Sequence, residues 1–187
     1  MTDIGLFRKM KYKKPLKFFK DLIKNAKVKK PYQRLRVLGL HIREDYMSLA
    51  VSNPENTIAL PLCILPRKEN DINYLADKFR TLITEYNAMG FVVNNNYPTL
   101  VSPFVDQLKK TGKLPRAKYT YWEDSSILQQ MDFVLKHHLR FIREQLNLPV
   151  DVSNEILQKF AATNVLQGYL NASNFVTEID EKEDNKN

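Results

Sequence analysis

The pattern of apolar and polar positions divides this chain into short strands and longer helices. Residues 34–41 look like a largely buried strand, and residues 45–52 alternate, with Met47, Leu49 and Val51 on one side and Ser48, Ala50 and Ser52 on the other. Asn53-Pro54-Glu55-Asn56 predicts a turn, and residues 57–64 a third strand in which Pro61 marks an edge or a bulge. Ile72, Leu75, Phe79, Leu82 and Tyr86 recur at steps of three and four, predicting a helix over 71–89 that Gly90 stops. Phe91-Val92-Val93 makes a short buried strand, Ser102 caps and Pro103 opens a helix to about Lys110, and residues 117–122 form another strand. Ser125 or Ser126 begins a helix with Ile127, Met131 and Val134 inward. Asp151 or Ser153 begins the last helix, with Ile156, Phe160, Thr163, Leu166 and Leu170 inward. Three strands followed by alternating helices and strands predict an α/β fold, a mixed sheet with helices on both faces.

Charge changes the picture at the two ends. Residues 1–40 hold 13 Lys/Arg and 2 acids, residues 41–177 hold 14 of each, and residues 178–187 hold 2 Lys and 5 acids. The division is therefore a basic N-terminal extension (1–33), a near-neutral domain (34–171) and an acidic tail (172–187) expected to be disordered. Within the extension, Pro15 opens a helix whose inner face would be Leu16, Phe19, Leu22, Ile23 and Ala26. Three readings stay open for it: a packed helix with a solvated lysine face, part of a targeting peptide, or an arm tracking phosphates. The last assigns RNA contact to Arg8, Lys9, Lys11, Lys13, Lys14, Lys17, Lys20, Lys24, Lys27, Lys29, Lys30 and Arg34.

Composition removes several classes of chemistry. One cysteine, Cys63, excludes an internal disulfide and a cysteine zinc cluster, and suits a small buried residue. Three histidines leave little for a histidine metal site, and the adjacent His137 and His138 complement a helix end. Ser125-Ser126 lacks a positioned base, and the five glycines form no phosphate loop. Trp122 could stack on a base but suits the core at a strand end. No apolar run approaches the ~20 residues of a membrane span, so no membrane partner is expected.

The stretch Leu38-Gly-Leu-His-Ile-Arg-Glu-Asp-Tyr-Met-Ser-Leu-Ala-Val-Ser-Asn-Pro54 resembles the opening hairpin of the YqgF family, whose pattern runs G-L-D-x-G to S-D-P. These are pre-rRNA nucleases, also described as Holliday-junction resolvase homologues. Ile58-Ala-Leu-Pro-Leu62 is similar to that family's third strand. Tyr121-Trp-Glu-Asp-Ser125 sits where it has D-E-R. Leu157-Gln-Lys-Phe-Ala-Ala-Thr-Asn-Val-Leu-Gln-Gly-Tyr-Leu170 is similar to its closing helix, D-K-x-A-A-x-x-I-L-Q-x-Y-L. The resemblance implies a ribonuclease H-like fold, βββαβαβα, and a site where carboxylates hold Mg²⁺. At the matching positions stand His41 for the first-strand aspartate, Arg43 for a glycine, Glu123-Asp124-Ser125 for D-E-R and Gln158 for the helix aspartate. Asn53 replaces the aspartate of S-D-P, and Asn94-Asn-Asn96 a G-L-P turn. Against that pattern, His41, Arg43, Glu123, Asp124 and Gln158 form a vestigial site with no metal, no cofactor and no catalysis. A rearranged site using Asp45, Glu123 and Asp124 is the rival.

Met10-Lys-Tyr-Lys-Lys-Pro-Leu16 also resembles the extension of plant members of the family. That resemblance implies an inactive relative serving as a structural, rRNA-binding component of the mitochondrial large ribosomal subunit. Its partners would be ribosomal RNA and neighbouring ribosomal proteins, and its place the mitochondrial matrix. The alternative is an active Mg²⁺-dependent nuclease acting on rRNA precursors or branched nucleic acid.

Overall fold

The structure is a computed structural model that describes residues 9–67, 71–123, 133, 137–138, 140–147 and 149–184. Six strands form one mixed sheet: β1 (Lys11–Tyr12), β2 (Arg36–Ile42), β3 (Tyr46–Ser52), β4 (Ala59–Pro66), β5 (Ala88–Asn94) and β6 (Lys118–Trp122). Their order is β1-β6-β5-β2-β3-β4. β2, β3 and β4 run as an antiparallel meander, and β5, β6 and β1 add in parallel on the other side of β2. Setting β1 aside, this is the strand order of the ribonuclease H-like fold. The alternation of β3 holds: Met47, Leu49 and Val51 enter one core, while Ala50 enters the other. β4 is an edge strand, and its register slips where Ala50 meets Pro61, so the proline sits at both an edge and a bulge.

Four long helices cover the sheet: α1 (Pro15–Val28), α2 (Ile72–Glu85), α3 (Pro98–Lys110) and α4 (Val150–Asp184). α2 and α3 bury Leu75, Ala76, Phe79, Phe104, Val105 and Leu108 on one face. α1 and α4 cover the other. α4 lies across β3, β4 and β2, so closely that a Cβ on Gly39 would stand 2.7 Å from the Leu166 Cβ. Only a residue without a side chain lets helix and sheet meet there.

The N-terminal extension is part of this body. Lys11 N–H donates to the Ala117 carbonyl and Lys13 N–H to that of Tyr119, which adds β1 to the sheet. Phe18, Phe19 and Leu22 are fully buried, and both rings meet Tyr169 of α4 edge-on. The packed-helix reading of α1 therefore holds, with Phe18 in place of the expected Leu16, which is 38% exposed.

Other boundaries move for local reasons. α2 ends at Glu85, and the left-handed residue that follows its cap is Asn87, at φ 50°, and not Gly90. Gly90 lies inside β5, where a Cβ would strike the Lys118 backbone of β6. α3 starts at Pro98, a first-turn proline, so Pro103 is interior to it and Ser102 is not its cap. Phe160 is 36% exposed, and the inner face of α4 is instead Ala162, Val165, Leu166, Tyr169 and Leu170, with Thr163 beside it. α4 continues through residues 172–184, where a disordered tail was expected: Ser173 is buried and Asn174 Nδ2 donates to the Asn56 carbonyl. The predicted helix of Ser125, Ser126, Ile127, Met131 and Val134 lies outside the described residues.

Candidate functional site

The sheet's α4 face carries a polar row at the C-terminal ends of the parallel strands. His41 pairs with Ser48 across β2 and β3. Leu40 pairs with Val93, so one further step sets His41 beside Asn94, which itself pairs with Trp122. Thr120 follows one step back, beside Val92. Ser48 Oγ, Asn94 Nδ2, Thr120 Oγ1 and Trp122 Nε1 are buried without a hydrogen-bond partner among the described residues. Buried polar groups are normally satisfied, so four such atoms along one end of an otherwise apolar layer make it the candidate site.

α4 contributes from above. Gln167 accepts from Ala59 N–H and donates to the Thr57 carbonyl, and Asn174 reaches Asn56, so the helix runs toward the start of β2. Gln158 lies in an earlier turn of the same helix and is half-buried. Glu123 is exposed just past β6, where Asn95 Nδ2 donates to its carboxylate at 2.6 Å. Arg43 is exposed past β2, with its guanidinium 4.9 Å from the ring centre of Tyr97 at the start of α3. Asp124 lies outside the described residues. Asp45 is exposed in the β2–β3 hairpin.

The fold family implies Mg²⁺ at this end of the sheet. The described donors are an imidazole, two hydroxyls, carboxamides, an indole and one exposed carboxylate, which do not fit an ion that takes hard, charged oxygens. Among the described residues no three His, Cys, Asp or Glu side chains converge. No mechanistic step through a metal follows from this set.

The remaining expected residues fall into place individually. Asn53 builds the turn: its Oδ1 accepts from Thr57 and Ile58 N–H. Trp122 packs on Tyr169, ring centres 5.5 Å apart, which is the core role. Cys63 is half-buried against the α2–α3 core, and burial pushes its thiol up. His137 stacks on Phe133 with ring centres 4.3 Å apart. In the N-terminal segment Lys9, Lys11, Lys14, Lys17, Lys20, Lys24, Lys27, Lys29 and Lys30 are exposed. Lys13 pairs with Asp21 and Arg34 with Glu55. Arg8 lies outside the described residues. Sequence reading missed Ser48 and Thr120, because a hydroxyl on an alternating strand carries no signal of what faces it.

Strand order and helix placement define the class as a ribonuclease H-like α/β protein. No protein-family model matches the chain. It is 26% identical over 141 residues to a protein of Caldicellulosiruptor saccharolyticus named "Putative pre-16S rRNA nuclease", covering 75% of this chain and 99% of that one. A protein of the same name from Pediococcus pentosaceus is 23% identical over 139 residues, covering 73% and 93%. Among solved structures, T. thermophilus RuvC in complex with Holliday junction substrate matches at TM-score 0.42 and 9% identity, over 73% of this chain and 94% of that one. The chain is thus similar over most of its length to proteins named for pre-16S rRNA, in keeping with the YqgF-type resemblance of its motifs.

The matched motifs now divide by role. Gly39, Ala162 and Leu166 let α4 touch the sheet, Gln167 pins it to β4, and Tyr169 donates to the Pro15 carbonyl at 2.9 Å. The positions that agree with the family pattern hold helix to sheet. Of those that depart from it, His41 lies at the polar end.

Proposed function

We propose that this chain is a nuclease-family protein that does not cleave, and that it serves as a structural, rRNA-binding component of the mitochondrial large ribosomal subunit. The observation that carries the first part is the row Ser48–His41–Asn94–Trp122, which holds no carboxylate where the family's chemistry needs them. RNA as partner draws on two things. The relatives are named for pre-16S rRNA, and nine lysines of residues 9–30 are exposed. Ribosome and mitochondrion follow from the resemblance of residues 10–16 to plant members.

The test has two arms. The purified chain is incubated with an end-labelled precursor rRNA fragment and a four-way junction over a range of Mg²⁺ and Mn²⁺, and no product is expected. Cleavage that disappears in Asp124→Asn would establish an active nuclease and overturn the first part. Tagged protein is then followed through cell fractionation and sucrose gradients at low and high salt. Co-migration with mitochondrial large subunits is expected, and sedimentation as a free protein at both salts rejects the ribosomal assignment.

A further inference from the structure

A cleft of about 740 Å³ opens at the opposite end of the sheet, where β5 and β6 begin. Leu35, Ile83, Met89 and Leu114 line it with apolar surface, and Lys24, Arg80, Lys113, Arg116 and Lys118 with positive charge. Two carboxylates serve this end, and each is shared by two cations. Asp21 lies 2.8 Å from Lys118 and 3.5 Å from Lys13, and Asp77 lies 2.6 Å from Lys113 and 3.2 Å from Arg80. Lys24 and Arg116 are exposed and make no ion pair among the described residues. The cleft is therefore strongly positive over an apolar floor. Its size falls within the roughly 300–1,000 Å³ of small-molecule sites.

An anion with a flat, apolar body fits such a floor and rim, which is the chemistry of a nucleotide. A second observation separates a chain of nucleotides from a single one. Lys24 belongs both to the cleft and to the outward face of α1, where Lys17, Lys20, Lys24 and Lys27 recur at steps of three and four. That row stands opposite the buried Phe18, Phe19 and Leu22. A line of cations that enters a cleft through a shared residue matches a run of phosphates.

We propose that this cleft takes one nucleotide of a single-stranded RNA, its base on the Ile83–Met89–Leu114 floor and its phosphate at Lys24 and Arg116, with the flanking backbone along the lysine face of α1. The inference rests on the RNA-binding reading above and moves the contact away from the nuclease position. β5 runs from Ala88 at the cleft to Asn94 in the polar row, about 20 Å at the rise of a strand.

Fluorescence anisotropy of the full-length chain with a fluorescein-labelled dodecauridylate tests it. The double variant Lys24→Glu, Arg116→Glu is expected to weaken binding about tenfold or more and to flatten the log–log salt slope by about 0.7, the value for one phosphate contact on a single strand. Thr84→Trp fills the cleft from an exposed lining position without changing charge, and is expected to weaken binding about threefold. Arg140→Glu, on the exposed helix of residues 140–146, is expected to stay within about twofold. Binding within about twofold of wild type in the double variant overturns the cleft and leaves the RNA reading standing. A wild-type chain that binds neither this oligomer nor rRNA fragments overturns both. Adenosine monophosphate binding as tightly as the oligomer makes the ligand a free nucleotide and overturns the RNA assignment of the cleft.

Discussion

The two ends of the central parallel strands differ in how their polar groups are used. At the end where β2 and β5 finish, Ser48, Asn94, Thr120 and Trp122 bury polar atoms with no partner among the described residues, around His41. At the end where β5 and β6 start, Asp21 and Asp77 are already engaged, and cations outnumber carboxylates among the described residues around an open cleft. The first end carries His41 at the position of the family's first-strand aspartate, amid buried neutral hydroxyl, amide and indole groups. The second joins positive charge to an apolar cleft. Residues that agree with the family pattern, Gly39, Leu166 and Gln167 among them, make the helix-to-sheet contacts of α4.

The comparison breaks first if α1 is a detachable arm, because α1 lines the cleft and packs on α4. Phe19→Ala is expected to cost about 3–5 kcal/mol in urea unfolding, whereas Leu16→Ala, on the exposed side, stays within about 0.5 kcal/mol. Equal small losses would show that the helix does not pack in solution. Next comes the tie between α1 and α4. Tyr169→Phe loses the hydrogen bond to the Pro15 carbonyl and is expected to cost about 1 kcal/mol. Burial raises the Tyr169 hydroxyl above the ordinary tyrosine value, so the fold needs it neutral. Its contribution is complete below about pH 10 and lost as pH rises further, and the phenylalanine variant should show a shallower alkaline decline in melting temperature.

The polar row predicts a smaller change of opposite sign. Thr120→Val keeps shape and removes a buried hydroxyl that has no partner among the described residues, and is expected to stabilise by about 1 kcal/mol. Destabilisation would reveal that this hydroxyl is engaged in solution. The smallest effect belongs to the cleft's own ion pairs. The Lys118 hydrogen bond holds the Asp21 carboxyl below its ordinary value, and Lys13 adds to this. That stabilisation is present above about pH 4 and lost as pH falls through the lowered value. Because Asp21 is about one-third exposed, Asp21→Asn should cost only about a few tenths of a kcal/mol at neutral pH and flatten the acid limb.

Much of the fold is legible in the chain because its signals are local. The hairpin of β2 and β3, the edge character of β4 at Pro61, the face of α2 and the inward Leu166 and Leu170 of α4 all appear as periodicity or as a motif. The failures cluster where a distant partner decides. Gly90 looks like a helix stop until β6 is laid beside it, and Asn87 supplies the left-handed residue instead. Leu16 and Phe18 are equally apolar on paper, and Tyr169, far along the chain, selects the phenylalanine.

The sequence by itself determined the α/β class, the likeness to the YqgF-type pattern and the identity of the residues at the positions that match it, because each depends on local pattern and residue type. Tertiary structure alone decided that the basic segment is a packed strand and helix, that the C-terminal residues 172–184 extend α4, and that two polar regions lie at opposite ends of one sheet. A cleft built from α1, α2 and the loop before β6 has no sequence signature, since its cations are scattered from Lys24 to Lys118. Only strand pairing and helix docking bring them together, and the free energy for that comes from apolar contacts elsewhere.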